Sequence, residues 1–446
     1  MSAQTDNGAA RAGSRTAAAP AAAGPRESWR SRRIPPLLRI ANFRRYWAAQ
    51  SVSMLGDQIS GIAIPLAAVL VLHASAPQMG YLTALEWLPS LLFGLHAGAF
   101  ADRLGKRRAT MIAADVGRFA LLATVPAGYL LGLLTLGQLL VVTFLAGTLS
   151  VLFSVSDGAL FQSLLRSEQY VEGNSLIYGS RALSFVGGPS IGGVLVQVLS
   201  APIAVLTDAL SFLGSAFFLA RTTVQEPPRS TERGSVLAGA RFIRSSPIVR
   251  SSLQAVAVIN FFNLMFMAVY LLYVVRQLHI QPGEIGLVLG AAAVGGVAGA
   301  AVTRRICAAI GVGWAYTLGC MLFAAPVALV PLAAGPRPLI LAMLFAAEFA
   351  SGFGVMVLDI SIGSIFAAVI PAELRARVAG AFTAVNYGTR PVGALLGGLL
   401  GATIGLRPTL WITVIGGAVG GLLLLPGPIP RFRMPADSEA GRQPGG

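Results

Sequence analysis

Two carboxylates stand where a chain of this kind keeps few charges: Asp57 and Glu348 each interrupt a long apolar run. At about 1.5 Å per helical residue, Asp57 lies roughly 16 Å into its run and Glu348 roughly 15 Å into its own. Both depths are near the middle of a bilayer, where an ionised carboxylate costs at least about 2.5–3.5 kcal/mol. Such a position suits a group that binds and releases a proton or meets a substrate; the alternative is a structural pair with an intramembrane arginine such as Arg118 or Arg181. Gln50, Ser53 and Ser60 share one helical face with Asp57. Thr143, Gly147, Ser150, Ser154 and Asp157 form a second polar stripe, Asn260, Asn263, Met267 and Tyr270 a third, and Glu348, Ser351, Gly352 and Asp359 a fourth. Singly, a Ser or Thr in such a helix bonds its own backbone or a neighbour. Four coincident stripes read instead as the lining of a central pathway, because polar stripes cannot comfortably face lipid.

Other charged groups read differently. Glu86 and Asp208 lie nearer the opposite face and suit structural or gating roles, while Asp115 and Arg118, one turn apart, form a structural pair by default. His96 reads as a packed helix-contact residue. Gly98, Asp102, Arg103, Gly105, Arg107 and Arg108 make a short charged hinge between two apolar runs, and Gly299 and Arg304 repeat part of it with Thr303 in place of Asp102. Pro189 and Pro391 recur at the offset that separates Asp157 from Asp359, the last two at the inner ends of their spans. Landmarks in register argue for duplication of a six-helix unit. Glycines at every fourth position, Gly393, Gly397, Gly401 and Gly405, with shorter ridges at Gly94–Gly98, Gly188–Gly192 and Gly295–Gly299, let helices approach closely and slide.

The elements that position these groups follow from composition. Of 446 residues, 55% are hydrophobic and 11% charged, far from the balance of soluble domains. Twelve runs of about 18–25 residues can cross a bilayer, near 46–72, 79–101, 109–131, 135–157, 174–198, 203–221, 251–275, 283–303, 312–334, 338–360, 378–403 and 408–426. Lipid offers backbone groups no partners, so the spans must be helices. The expected fold is an all-α integral membrane protein of twelve transmembrane helices. A disordered N-terminal tail (1–41) precedes a six-helix bundle (42–221). A central loop (222–250) with a short surface helix near 236–243, a second bundle (251–426) and a C-terminal tail (427–446) follow.

The net charge of +15 could suggest nucleic acid, but its distribution argues otherwise. Lys and Arg concentrate in the tails and in every second loop, and only Arg276, Arg337 and Arg407 lie in the alternate loops. That asymmetry puts both termini on the cytoplasmic side, with anionic lipid rather than nucleic acid as the partner of the charge. Cys307 and Cys320 lack metal-ligand spacing, the histidines are dispersed, and no phosphate-binding glycine loop occurs. Neither a metal, a cofactor nor an enzyme's cluster of catalytic groups is expected.

The hinge resembles the loop motif between helices 2 and 3 of the major facilitator superfamily, and the resemblance covers roughly residues 42–426. Arg44-Arg45-Tyr46-Trp47, Gly56-Asp57, Asp208-Ala209-Leu210-Ser211-Phe212 and the segment Pro371–Val378 are similar to the branch that contains macrolide-efflux and enterobactin-exporter proteins. Two features depart from drug/proton antiporters. The fourth span carries no Arg or Lys, and Gly188, Pro189, Gly192 and Gly193 form only the core of the fifth-helix motif. The resemblance implies two pseudo-symmetric six-helix bundles with spans 1, 4, 7 and 10 around the cavity. It also implies a gate formed by the hinge, where Asp102 meets the start of the eleventh helix, with Asp157 and Asp359. The expected function is secondary, proton-coupled efflux of a small hydrophobic or amphipathic organic compound, an antibiotic or a secondary metabolite, by a monomer in the cell membrane. Aromatic and thioether side chains of the seventh span, Phe261, Phe262, Met265, Met267, Tyr270 and Tyr273, fit such substrates. A siderophore exporter, an importer, and a non-transporting receptor or scaffold are the alternatives.

Overall fold

Proline and glycine punctuate a chain that is otherwise helical. The computed structural model describes residues 35–104, 106–223 and 236–434. Six long helices come first: α1 (Ala41–Leu70), α2 (Ala76–Leu104), α3 (Arg107–Leu130), α4 (Leu136–Leu164), α5 (Tyr170–Leu199) and α6 (Ala201–Ala220). After the short α7 (Val236–Ser245) come α8 (Pro247–Arg276), α9 (Pro282–Ile310), α10 (Val312–Ala324), α11 (Leu329–Leu332), α12 (Arg337–Val369), α13 (Arg375–Thr403) and α14 (Leu406–Leu422). Among the described residues no strand forms, and nine helical segments are long and apolar enough to cross a membrane. α14 is a shorter apolar helix. α2 and α13 complete the packing, α2 against α4 and α13 against α8. Six helices, α2, α6, α8, α9, α12 and α14, carry proline in their first turn, where its missing N–H leaves no bond unmade.

Three elements depart from the sequence-based boundaries. The ninth span is broken: α10 stops at Ala324, a 3-10 turn covers Pro326–Ala328, and α11 resumes for one turn. Pro326 and Pro331 cannot donate to a continuous ladder. α4 runs on to Leu164 and α12 to Val369, so Asp157 and Asp359 lie inside their helices rather than at the ends. The apolar pattern beyond each aspartate sustains the extra turns. In the central segment α7 lies against α13: Gly239 backs onto the Arg377 carbonyl, and Ile243 is buried with Val249 and Val378.

Pairing of helices repeats along the chain. α1 packs on α5 and α6 as α8 packs on α13 and α14; α2 meets α4 as α9 meets α12; α3 meets α4 as α10 meets α12. The two units join through exchanged partners, α2 with α13 and α5 with α9. Glycine makes those joints possible. A Cβ at Gly398 would sit 2.7 Å from the Ala76 carbonyl and 3.0 Å from the Gly80 Cα, and one at Gly193 would sit 2.5 Å from the Pro282 carbonyl. Ser190 Oγ donates to the Gly286 carbonyl, and the Gly283 N–H donates to Gln197 Oε1 at 3.0 Å. Arg276 adds a bond to the Ala74 carbonyl at 2.9 Å. All these contacts fall where α2 and α9 begin and α5, α8 and α13 end, on the face away from the chain termini. They join the two units at that far face.

The remaining ridges have separate tasks. Gly295 and Gly299 seat α9 on the backbone of Phe349 and Phe353 in α12, and Gly393 and Gly397 seat α13 on Phe261 and Met265 of α8. Gly405 does not continue its ridge; its φ of +93° makes the turn into α14, a conformation costly for residues with a Cβ. A side chain at Gly94 would meet open space.

Candidate functional site

Asp57, Ser60, Thr143, Ser150 and Ser154 line one cavity of about 420 Å³, within the first six helices. Glu86 and Trp87 of α2, Arg118 of α3 and Asp208 of α6 line it too. Asp57 and Glu86 are exposed to this space, whereas Arg118 is 3% exposed and Asp208 2%. The Arg118 guanidinium is bonded to Asp115, lies 3.4 Å from Ser150 Oγ, and sits over the Phe212 ring at 4.0 Å and the Phe153 ring at 4.6 Å. Such contacts hold a cation in a dry bundle. Asp208 accepts a bond from Ser211 Oγ at 3.0 Å. α1 comes close to this pair because Gly56 has no side chain; a Cβ there would run into Ser211 and Asp208. Asp57 lines the same cavity as Arg118 and Asp208. One guanidinium, bonded to Asp115, thus lies in a cluster with Asp57 and Asp208 as well. In low dielectric, a cluster with more carboxylates than cations can take up and release protons.

Other members of the first two stripes lie elsewhere. Gln50 is buried and donates to Asp157, which also accepts from the Tyr46 hydroxyl at 2.7 Å. That network ties α1 to α4 on the terminal side of the cavity. Ser53 is buried and Gly147 fits against Pro89.

In the second unit the polar groups turn mostly to neighbouring helices. Glu348 is buried beside the Tyr270 hydroxyl, and Tyr270 stacks on Phe266 at 4.9 Å. Ser351 Oγ donates to the Phe323 carbonyl at 3.0 Å, and Asn260 donates to the Val256 carbonyl of its own helix. Asn263 borders a gap of about 20 Å³ between α8, α10 and α14. The seventh-span aromatics are packing residues: Phe262 fills the space at Gly416, Met265 lies under Gly397, and Tyr273 is buried. Met267 is exposed. Asp359 is also exposed, near Tyr316 and Cys320.

Sequence reasoning missed the group that joins the units. Arg390 of α13 lies 4.0 Å over the Trp87 ring of α2 and 5.0 Å from the Tyr387 ring, and its Nη2 donates to Asn260 Oδ1 at 3.2 Å. Glu86 is close enough to feel its charge. The signal was an arginine inside a span facing a Glu-Trp pair on the exchanged partner, but only the pairing of α2 with α13 reveals the encounter.

The helix-5 motif is distributed over two contacts. Gly188 and Gly192 fit against Gln58 and Ile59 of α1, while Gly193 meets α9 beside Pro189, whose carbonyl abuts Gly286. At the hinge, Arg108 donates to the Thr222 carbonyl. Gly98, Asp102 and Arg103 lie in α2, but their side chains and that of His96, with all of Gly105, are outside the described residues. The N-terminal tail before residue 35, the central loop 224–235 and the C-terminal tail after 434 are outside them as well.

The family described as transmembrane secretion effector matches residues 33–443. The chain is 27% identical to the multidrug efflux pump Tap of Mycolicibacterium fortuitum over 79% of its own length and 88% of that protein. It is 24% identical to the enterobactin exporter EntS of Citrobacter koseri, covering 88% of this chain and 94% of that one. Among solved structures, a bacterial homologue of the iron transporter ferroportin in its inward-facing state superposes with a TM-score of 0.68 at 16% identity, over 88% of this chain and 99% of the other. That likeness concerns the fold.

Proposed function

We propose a function from a plain premise: the chain belongs to the transmembrane secretion effector family of major facilitator transporters, multi-pass membrane proteins. Within that family it exports a small hydrophobic or amphipathic organic compound across the cell membrane against inward proton flow, as a monomer. The observation that carries this reading is the cavity lined by Asp57, Arg118 and Asp208, where the guanidinium is bonded to Asp115 and Asp57 is open to the space. Asp57 is the coupling group. It takes up a proton when the cavity faces the acidic side and gives it back when the cavity faces the other. One charge moved across 100 mV involves about 2.3 kcal/mol, enough to bias export. The efflux named for Tap and EntS supports the direction.

Positive charge on the terminal face argues that both termini are cytoplasmic. The closed far face is then the outer one, and the cavity faces inward. Alternation opens the glycine joints between α2 and α13 and between α5 and α9, while the hinge, Asp102, Arg103, Gly105, Arg107 and Arg108, with Asp157 and Asp359, controls closure on the cytoplasmic side. Glu348 is a second candidate for coupling or substrate contact, and Ser60, Thr143, Ser150 and Ser154 are candidates for binding polar atoms of the substrate. A siderophore cargo is the second reading, supported by the extent of the match to an enterobactin exporter.

Purified protein in liposomes with an imposed pH gradient tests the function. An antibiotic panel and a catechol siderophore are offered, with a trapped pH dye to count protons. Counterflow of protons with one of them is expected. Transport of sugars or inorganic anions alone would overturn the reading.

A further inference from the structure

Arg390 is held by groups that together make a receptor for an organic cation. Two aromatic faces flank it, Trp87 and Tyr387, whose ring centroids are 5.8 Å apart. Glu86, the residue before Trp87 in α2, adds a carboxylate on the cavity wall, and the Asn260 side-chain oxygen accepts a bond from the guanidinium. Aromatic faces within about 6 Å of a positive centre attract it through the ring quadrupole, and such cages recognise quaternary ammonium groups. Glu86 and Trp87 also line the cavity, so the box borders the space a substrate enters, with Tyr387, Arg390 and Asn260 behind that wall. The hold on Arg390 is incomplete: its Nε has no acceptor among the described residues. The box is also built across the two units, Glu86 and Trp87 from α2, Tyr387 and Arg390 from α13, and Asn260 from α8.

We propose that Glu86, Trp87 and Tyr387 form a subsite for a lipophilic organic cation, and that Arg390 is a tethered stand-in which fills it while the cavity is empty. An arriving cation displaces the guanidinium. The displaced side chain no longer bridges α13 to α2, so loading of the subsite loosens a contact that must break when the far face opens. The empty carrier keeps its bridge and leaks little. The inference deepens the transport reading and rests on it for the entry of substrate into this cavity.

The test is equilibrium binding to the full chain in nanodiscs, with tetraphenylphosphonium as the cationic probe and triphenylphosphine oxide as the uncharged companion. Arg390→Gln and Arg390→Ala remove the competitor, so both should bind the cation about tenfold more tightly, a gain of the size of one desolvated cation–π contact. The uncharged probe should bind as before. Adding Trp87→Ala to Arg390→Gln should abolish the gain, and Arg390→Lys should behave like the native chain. Unchanged or weaker cation binding by both arginine variants overturns the proposal. So does equal tightening for both probes, which would mean that Arg390 merely latches the units and that its loss opens the cavity. Absence of any tetraphenylphosphonium binding to the variants overturns it too. Proton-driven flux by the native chain is scored separately, and its failure would strike the transport reading instead of the subsite.

Discussion

The two units pair their helices alike and differ in what they keep at the centre. The first holds Arg118 with Asp57, Glu86, Asp115 and Asp208 at an open cavity between α1, α2, α3, α4 and α6. In the second, Glu348 is buried, Phe262 fills the space at Gly416, and only a gap of about 20 Å³ lies between α8, α10 and α14. Duplication thus copied a scaffold of close helix contacts without copying its chemistry. A symmetric fold does not imply symmetric chemistry: the first unit holds the charged cavity, while the second contributes Arg390 across the joint.

That contrast can be broken most severely at Arg118. Replacing it by Met leaves Asp115 buried and unpaired, a loss that costs about 3–5 kcal/mol. Thermal melts in detergent should show it, and the double variant Arg118→Met, Asp115→Leu should recover most of the loss. A single variant that melts like the native chain would mean that the charges of the first unit do not depend on one another.

The joint between the units gives the next largest effect. At Gly193 an added side chain meets the Gly286 backbone, with no flexible group to yield. Overpacking of this kind costs about 1–3 kcal/mol. Gly193→Val should part α5 from α9, raise labelling of a cysteine placed at Gln197 by an impermeant maleimide, and slow turnover. Gly380→Val, where a Cβ meets open space, should do neither. Equal labelling in the two would remove this joint from the far-face seal.

In the second unit smaller changes are expected. Glu348 is buried away from the cavity of the first unit, so Glu348→Gln should leave uphill export within about threefold of native and the melting temperature almost unmoved. Loss of uphill export would instead make both units carriers of protons. At the far-face surface, Glu284→Gln breaks a two-bond contact with Arg337, at 3.0 and 2.7 Å. Because that pair is exposed, no measurable change in stability is expected.

Much of this was legible in the chain itself. Apolar runs announce membrane helices, and the shared offset of prolines and aspartates announces duplication. The spacing of Asp57, Ser60, Thr143, Ser150 and Ser154 brings them to one cavity. Periodicity shows which residues share a face but not where that face points once helices rotate against each other. Gln50 shares the stripe of Asp57 and yet serves Asp157. The second-unit stripes obey the same spacing, but Ser351 turns to α10 and Asn260 to its own helix. Glu86, Arg118 and Asp208 read in the sequence as structural or gating groups rather than as cavity lining, because no polar stripe marks their helices. The encounter of Arg390 with Trp87 depends on which helices pair across the units, information that no local pattern holds.

The central claim is that the first unit couples protons to export through Asp57. Its direct measurement compares Asp57→Asn with the native chain in liposomes, recording substrate accumulation and proton release together. The variant should fold, bind substrate within a few-fold of native and equilibrate it downhill, yet fail to accumulate it against a gradient and release no protons. Uphill accumulation with the native proton flux would contradict the account and move the coupling site away from Asp57.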